Sequence, residues 1–402
     1  MTNNYKKIIL IMCGLAAASI GICQNTPGVF YAPVSTAFGV LRGTFALHAT
    51  LTSLGIAVTA LFMPRVFKKF SIKTIVIFGT ILMVAATAGM SFANHMMTFY
   101  VLSIIRGIGA GLCANVSITT IINQWFMKSN GQVTSIALSF SGLAGALCSP
   151  LLSTCIENFG WRSAYLLQAG ILAFFLLPAV ILPFHTSPED EGLMPYGFVK
   201  EETTKKETKP SKPFRFLSVS FLCMSVMTLL STSITGISQH ISGYAQSLGM
   251  SAAFGGLLLS VIMVGNIIMK LVIGFISDKK GTVFSCFLMM GLNALALFLI
   301  ALGGRMMSKP LLLFAAFLYG SVYAIGAVGI SLLVKLFFGV ENYAAAFSKI
   351  SFIMSTGGAC SLPLIGYLFD FTGAYTPAFY IGIAFHAINA TLISIILLRR
   401  KQ

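Results

Sequence analysis

The sequence predicts an all-α membrane protein: twelve transmembrane helices in two pseudo-symmetric six-helix bundles. Three observations carry this. Of 402 residues, 57% are hydrophobic and only 9% charged, which excludes a soluble globular chain. Apolar stretches of about 20 residues, each able to cross a hydrocarbon core of roughly 30 Å, recur along the whole length. One polar stretch interrupts them near the middle and leaves two halves that match each other.

The spans fall at 8–33, 44–64, 73–93, 97–123, 132–156, 162–183, 215–239, 252–277, 282–303, 310–334, 343–369 and 376–398. The first is too long and too polar (Gln24, Asn25, Thr26) for a cleaved signal peptide, and no A-x-A-like site follows it. It reads as a mature helix. The interruption is His185 to Pro213, HTSPEDEGLMPYGFVKEETTKKETKPSKP, with six of the ten acids plus many Lys, Thr and Pro. Such a stretch cannot bury enough apolar surface to fold alone. It reads as a cytoplasmic linker between an N-terminal bundle, 1–184, and a C-terminal bundle, 214–402.

The halves align at an offset of 213 residues: Gly145 and Pro150 meet Gly358 and Pro363, Gly160 meets Gly373, Trp125 meets Phe338, and Gly107 meets Gly320. A parallel duplication of six spans about an axis along the membrane normal is a transporter layout.

A net charge of +16 raises the question of nucleic acid, but the placement of the charge answers it. The basic clusters (Lys6–Lys7, Arg65 to Lys73, Lys128, Lys200 to Arg215, Lys279–Lys280, Arg399 to Lys401) share one face once twelve spans are drawn with the N-terminus inside. Only Arg42, Arg162, Arg305 and Lys309 remain opposite. This asymmetry follows the positive-inside rule, puts both termini in the cytoplasm, and makes the charge topological, with no nucleic-acid partner expected. Eight scattered cysteines form no CxxC pair and no cluster with histidine, so packing is expected of them, without a disulfide framework or metal site.

GFISDKKG, Gly274 to Gly281, resembles the loop motif G-x-x-x-D-[RK]-x-G of the major facilitator superfamily. Its first-half counterpart, PRVFKKFS (Pro64 to Ser71), has Lys68 in place of the acid. Arg106-Gly107-x-Gly109-x-Gly111 resembles the fourth-helix motif of that superfamily. GVFYAPVSTAFG (Gly28 to Gly39), NQWFMKSNGQ (Asn123 to Gln132), FGWRSAY (Phe159 to Tyr165), SPEDEGLMPYG (Ser187 to Gly197), FFGVENYAAAFS (Phe337 to Ser348) and GYLFD (Gly366 to Asp370) are similar to the oxalate/formate antiporter and monocarboxylate transporter branch. The resemblance implies a transporter of the plasma membrane, here a bacterial inner membrane, that works as a monomer in the lipid bilayer without a cofactor. It implies gating roles for Asp278, Lys279 and Lys68.

The candidate site is built on cations inside apolar helices. Burying one in a bilayer costs on the order of 2.5–3.5 kcal/mol, so such residues mark sites. Arg106 lies about nine residues into the fourth span, roughly 13 Å deep. It reads either as an anion or coupling site or as a structural arginine bonded to backbone carbonyls. Gly107 and Gly111 beside it offer a small-residue face for close helix packing. Lys270 lies two turns before Asp278, with Asn266 one turn earlier on the same face. By resemblance it takes the place of the eighth-helix cation that pairs with a substrate carboxylate, usually arginine; the alternative is a lysine snorkelling to the headgroups. Tyr319 and Tyr323, one turn apart on the tenth span, either wall an organic anion or pack as ordinary aromatics. Gln24 and Tyr31 flank Pro27-Gly28, where proline and glycine loosen the first span and free its carbonyls, as membranes tolerate beside protein or a wet cavity. His48 and His240 are the near-neutral titrating groups within or near spans.

All ten acids (Glu157, Glu189, Asp190, Glu191, Glu201, Glu202, Glu207, Asp278, Glu341, Asp370) fall in loops or at helix ends. A membrane protein with buried cations and no mid-membrane acid suits an anion. The expected function is transport of a small organic anion, foremost a monocarboxylate, by exchange or uptake without a membrane-embedded acidic proton carrier. The alternative is multidrug or metabolite efflux, although Arg106 and Lys270 would repel cationic drugs. No nucleophile–base pair, phosphate loop or metal spacing points to an enzyme.

Overall fold

The computed structural model describes residues 3–126, 130–197 and 218–401. Among these, eleven helical segments are long and apolar enough to cross a membrane: Asn3–Phe38, Arg42–Met63, Ile72–Ser91, Met96–Ile122, Ile136–Ile181, Val219–Ser247, Ala252–Ser277, Thr282–Arg305, Lys309–Gly339, Lys349–Thr372 and Thr376–Arg399. Ile136–Ile181 has 46 residues, far more than the ~20 that one crossing needs. Gly160, at φ 80° and ψ 164°, breaks it into the fifth and sixth spans, which gives the twelve expected. Its repeat mate Gly373, between the eleventh and twelfth spans, also has positive φ, 71°. The duplication in sequence is therefore a duplication in backbone, at positions where a side chain would be strained.

Among the described residues the first, fourth and tenth spans depart from regular α-helix, the fourth at Ala114, where φ −82° and ψ −158° make the backbone extended. The first carries a π-helical stretch at Ala17–Ile22, and a 3-10 turn at Pro27–Phe30, where Pro27 has no N–H to give to the ladder. The tenth carries a π-helical stretch at Ile325–Gly329.

The chain forms two compact units. The first takes in Met1–Pro27, Leu51–Cys148 and the chain from Thr154 to the linker; the second takes in Gly28–Thr50, Ser149–Ser153 and the C-terminal half. Glycines set the packing inside each. In the first unit the second and fourth spans cross so closely that a Cβ on Gly107 would lie 2.4 Å from the Thr52 carbonyl oxygen, and one on Gly111 2.6 Å from Thr59. In the second unit the eighth and tenth spans repeat this crossing: a Cβ on Gly320 would lie 2.2 Å from the Gly265 carbonyl carbon, and one on Gly265 2.1 Å from the Phe317 oxygen. The small-residue face read at Gly107 and Gly111 is used as such.

Large apolar side chains such as Phe78, Phe174, Leu271, Phe298 and Leu364 are exposed, which suits helices immersed in lipid. The described start of the linker, residues 185–197, lies against the first unit. Tyr5 donates to the Met194 carbonyl at 2.6 Å, the Trp125 indole to that of His185 at 3.1 Å, and the Tyr196 N–H to the Trp125 carbonyl at 2.8 Å. Lys7 and His185 pair with Glu191 at 3.4 and 3.3 Å. The Ser187 hydroxyl donates to the Glu189 carboxylate and holds it below the usual carboxylate range. Residues 198–213 of the expected linker lie outside the described residues.

Candidate functional site

The eighth span places Asn266 and Lys270 one turn apart. Asn266 sits at the crossing with the tenth span, next to Gly265, and is buried; its amide N–H reaches only the Met263 sulfur, at 3.9 Å. Its Oδ1 has no hydrogen-bond partner among the described residues. Lys270 is half-buried a turn closer to the loop motif at Gly274 to Gly281. Among the described residues the ion pairs are those of Glu191, so neither Lys270 nor Arg106 has a carboxylate partner there. A cation and an unsatisfied amide on one helix face are suited to a carboxylate with a neighbouring polar group.

The tenth span's two tyrosines both reach the seventh. Tyr319, fully buried, donates its hydroxyl to the Ile234 carbonyl, and Tyr323 shares a 2.6 Å hydrogen bond with Ser238. Behind Tyr319, Asn293 donates to its backbone carbonyl at 3.0 Å, and the Asn293 Oδ1 lies 2.8 Å from His386 Nε2. An amide oxygen only accepts, so this histidine carries its proton on Nε2. The tyrosines are thus held in fixed positions by a polar chain through four helices.

In the first unit Arg106 is 1% exposed. Its guanidinium donates to the Thr52 hydroxyl at 3.2 Å and approaches the Met90 sulfur at 3.6 Å, while Nε has no partner among the described residues. The partners are side chains of the second and third spans, not the backbone carbonyls of the structural alternative. Gln24 donates to the Ser19 carbonyl at 3.3 Å. The 3-10 turn at Pro27–Phe30 falls between Gln24 and Tyr31, so the straight-helix register that joined them on one face does not continue across it. Tyr31 belongs to the second unit, with its ring 5.0 Å from that of His240.

Of the loop-motif residues, Lys68 is exposed, Lys279 lies 4.2 Å from the centre of the Phe275 ring, and the side chain of Asp278 lies outside the described residues. Gly281, at φ 88°, closes the eighth span through its N–H to the Ser277 carbonyl, whereas Ser71 in the first half caps the third span by accepting from Thr74 N–H.

A second constellation lies within the second unit, where the end of the eleventh span meets the start of the second. The Asp370 carboxylate accepts the backbone N–H groups of Arg42 and Gly43 at 3.2 and 3.0 Å. The Arg42 guanidinium stacks 4.2 Å above the Phe369 ring and donates to the Tyr375 hydroxyl at 2.9 Å and the Gly243 carbonyl at 3.3 Å. Burial pushes the Tyr375 hydroxyl above its ordinary range, and Arg42 partly offsets this. Gly28 N–H donates to the Gln239 side chain at 3.0 Å, and Thr50 to the Ala359 carbonyl at 2.8 Å. The start of the second span is thereby fastened to the seventh and eleventh.

The sequence model of the Major Facilitator Superfamily matches residues 13–334 and 221–402. The chain belongs to the Major Facilitator Superfamily. Like this member, the nucleoside transporter NupG has the fold: TM-score 0.75 at 13% identity, covering 97% of this chain and 99% of that one. A D-xylose-proton symporter gives TM-score 0.68 at 12% identity, covering 97% and 96%. Among superfamily sequences, human monocarboxylate transporter 12 is 24% identical over 322 residues, which are 72% of this chain and 60% of that relative. Rat monocarboxylate transporter 13 is 24% identical over 368 residues, 89% of this chain and 81% of its own. An uncharacterized superfamily transporter of Bacillus subtilis, YcxA, is 22% identical over 290 residues, 69% and 66%. As a superfamily member the chain is a multi-pass protein embedded in lipid.

Sequence reading named Arg42 only as a cation of the non-cytoplasmic face and Asp370 only as a helix-end acid. The available signals were that Arg42 is one of four cations on that face and that Asp370 closes the GYLFD stretch. Asn293 and His386 gave none.

Proposed function

We propose that this chain is a secondary transporter that carries a small organic anion, a monocarboxylate, across the plasma membrane by alternating access. The observation that carries the reading is Lys270: a half-buried cation inside an apolar span, without a carboxylate partner among the described residues, one turn from an amide with an unsatisfied oxygen. Such a charge is tolerated in a membrane where a ligand or ion compensates it. Relatives named monocarboxylate transporters point to the same ligand class.

In this reading Lys270 pairs with the carboxylate and Asn266 bonds a polar group beside it. Tyr319 and Tyr323 wall the pocket from the tenth span, and Tyr31 contributes within the same unit; Gln24 is a polar contact of the first unit. Arg106, charged and without a carboxylate partner among the described residues, supplies positive potential. Asp278, Lys279 and Lys68 act at the cytoplasmic gate. The protein works as a monomer in a bacterial inner membrane, both termini cytoplasmic, so the Arg42–Asp370 constellation faces outward. No acid lies mid-span, so the coupling is anion exchange or uptake without an acidic proton carrier.

Counterflow in sealed proteoliposomes tests this. Internal unlabelled acid should accelerate entry of the same labelled acid, with no entry into empty vesicles if exchange is strict. Failure of every monocarboxylate in a panel to exchange would overturn the reading.

A further inference from the structure

The outward-facing constellation contains an ionisable group with no part in the anion site. His240 on the seventh span is 1% exposed, and its Nε2 lies 2.8 Å from the Leu362 carbonyl of the eleventh. A carbonyl only accepts, so Nε2 carries the proton and Nδ1 is the basic nitrogen. Nδ1 has no hydrogen-bond partner among the described residues. The ring meets Tyr31 of the first span at 5.0 Å and Tyr375 of the last outer loop at 5.7 Å. Beyond Tyr31, His48 of the second span lies 5.9 Å from the tyrosine ring, and its Nδ1 bonds the Phe45 carbonyl at 2.6 Å.

The charged and titratable groups packed around His240 can be named. Tyr31 faces it from the first span, with His48 behind, Tyr375 from the outer loop, and Tyr244 lies one turn along its own helix. Arg42 of the second span bonds both Tyr375 and the carbonyl of Gly243. The nearby carboxylate, Asp370, is engaged by the N–H groups of Arg42 and Gly43. A protonated His240 would need a second acceptor at Nδ1, and no described group stands within hydrogen-bond reach of that nitrogen, the Tyr375 hydroxyl being engaged by Arg42.

We propose that His240 is a proton-binding site that controls the outer seal: binding a proton at Nδ1 releases residues 28–50 from the seventh and eleventh spans. The physical reason is that an imidazolium enclosed beside Arg42 without a second acceptor is costly, whereas the parted helices admit water to solvate it. Residue 239 next to it already holds the first span through Gly28, where a Cβ would meet the Gln239 oxygen at 2.1 Å, so a small displacement of the ring is felt at once by the seal. Acid on the outer side then favours the outward-open arrangement. The proton acts on the gate and is independent of which anion is carried, so the test needs no substrate.

The test is a spin-label distance measurement across the seal in lipid nanodiscs. Labels are placed at Leu41→Cys and Phe371→Cys, both exposed, in a background with Cys155, Cys223 and Cys360 changed to serine. Between about pH 7.5 and about pH 5.5, a range that spans ordinary histidine titration, the long-distance population should grow at least threefold. His240→Gln, which can still donate to Leu362 but cannot take up a proton, should hold one distribution at both pH values. His48→Gln should retain the response. If His240→Gln does not reconstitute, His240→Asn carries the same comparison. A distribution unchanged by pH in the unmodified histidine background, a pH response that survives in His240→Gln, or a response lost with His48 alone overturns the proposal.

Discussion

The carboxylate of Asp370, at the end of the eleventh span, caps the second span by accepting the N–H groups of Arg42 and Gly43 at 3.2 and 3.0 Å. A helix start leaves four N–H groups without intrahelical partners and carries a partial positive charge, so an anion there is favoured twice over. The two residues are more than 320 positions apart, and the cap joins the start of the second span to the C-terminal helices.

Removing that cap should loosen the hold of the eleventh span on the start of the second. Asp370→Asn keeps an acceptor but loses the charge, and Asp370→Ala loses both, for about 0.5 to 2 kcal/mol in the alanine case. The expected order of seal opening, read from the Leu41–Phe371 label distance, is Ala, then Asn, then the parent. Equal distributions in all three would contradict the cap's role.

Tyr375 gives a prediction at alkaline pH. Burial raises its pKa above the ordinary value near 10, so the neutral hydroxyl is the form favoured in the packed seal. Its contribution is present below the ordinary value and is lost as pH rises through the raised one. The seal should therefore hold through pH 9, and Tyr375→Phe, which removes the Arg42 acceptor, should weaken it by about 1 kcal/mol at every pH in that range. A seal that parts between pH 8 and 9 in the parent would sink this account of Tyr375.

The repeated glycine crossings should be intolerant of a methyl group. Gly320→Ala and Gly107→Ala put a Cβ within 2.2 and 2.4 Å of backbone, and backbone cannot step aside as a side-chain tip can. Overpacking of this kind costs about 1–3 kcal/mol, so thermal stability in detergent should fall for both. Gly170→Ala, with no atom within 4 Å of the new carbon, should leave it unchanged or slightly raised. Equal melting for the three variants would show that the crossings do not limit packing.

The fold was legible because its signals are local or periodic. Span length is set by bilayer thickness, the cation bias by topology, and the duplication by glycines such as Gly160 and Gly373 whose positive φ admits few other residues. Lys270 and Arg106 stood out because a cation in an apolar run is costly enough to be conspicuous. The Arg42–Asp370 cap was hidden because it joins a backbone N–H to a distant side chain, and backbone donors leave no trace in residue identity. The register of Gln24 against Tyr31 misled for a related reason: Pro27 announced a break but not that the chain would resume through a 3-10 turn. Asn293 and His386 could not be singled out, since each is an isolated polar residue whose meaning depends on the helix it meets.

The central claim is that Lys270 holds the carboxylate of the carried anion. Uptake of labelled monocarboxylates into proteoliposomes should be compared for the parent, Lys270→Ala and Lys270→Arg, with equal reconstitution checked by protein assay. The account predicts saturable uptake of at least one acid by the parent, its retention with arginine, which keeps the charge, and its loss by 100-fold or more with alanine, about 2.7 kcal/mol of binding to a half-buried charge. Uptake that proceeds unchanged in Lys270→Ala would contradict the claim and leave Lys270 as an anchor at the headgroups.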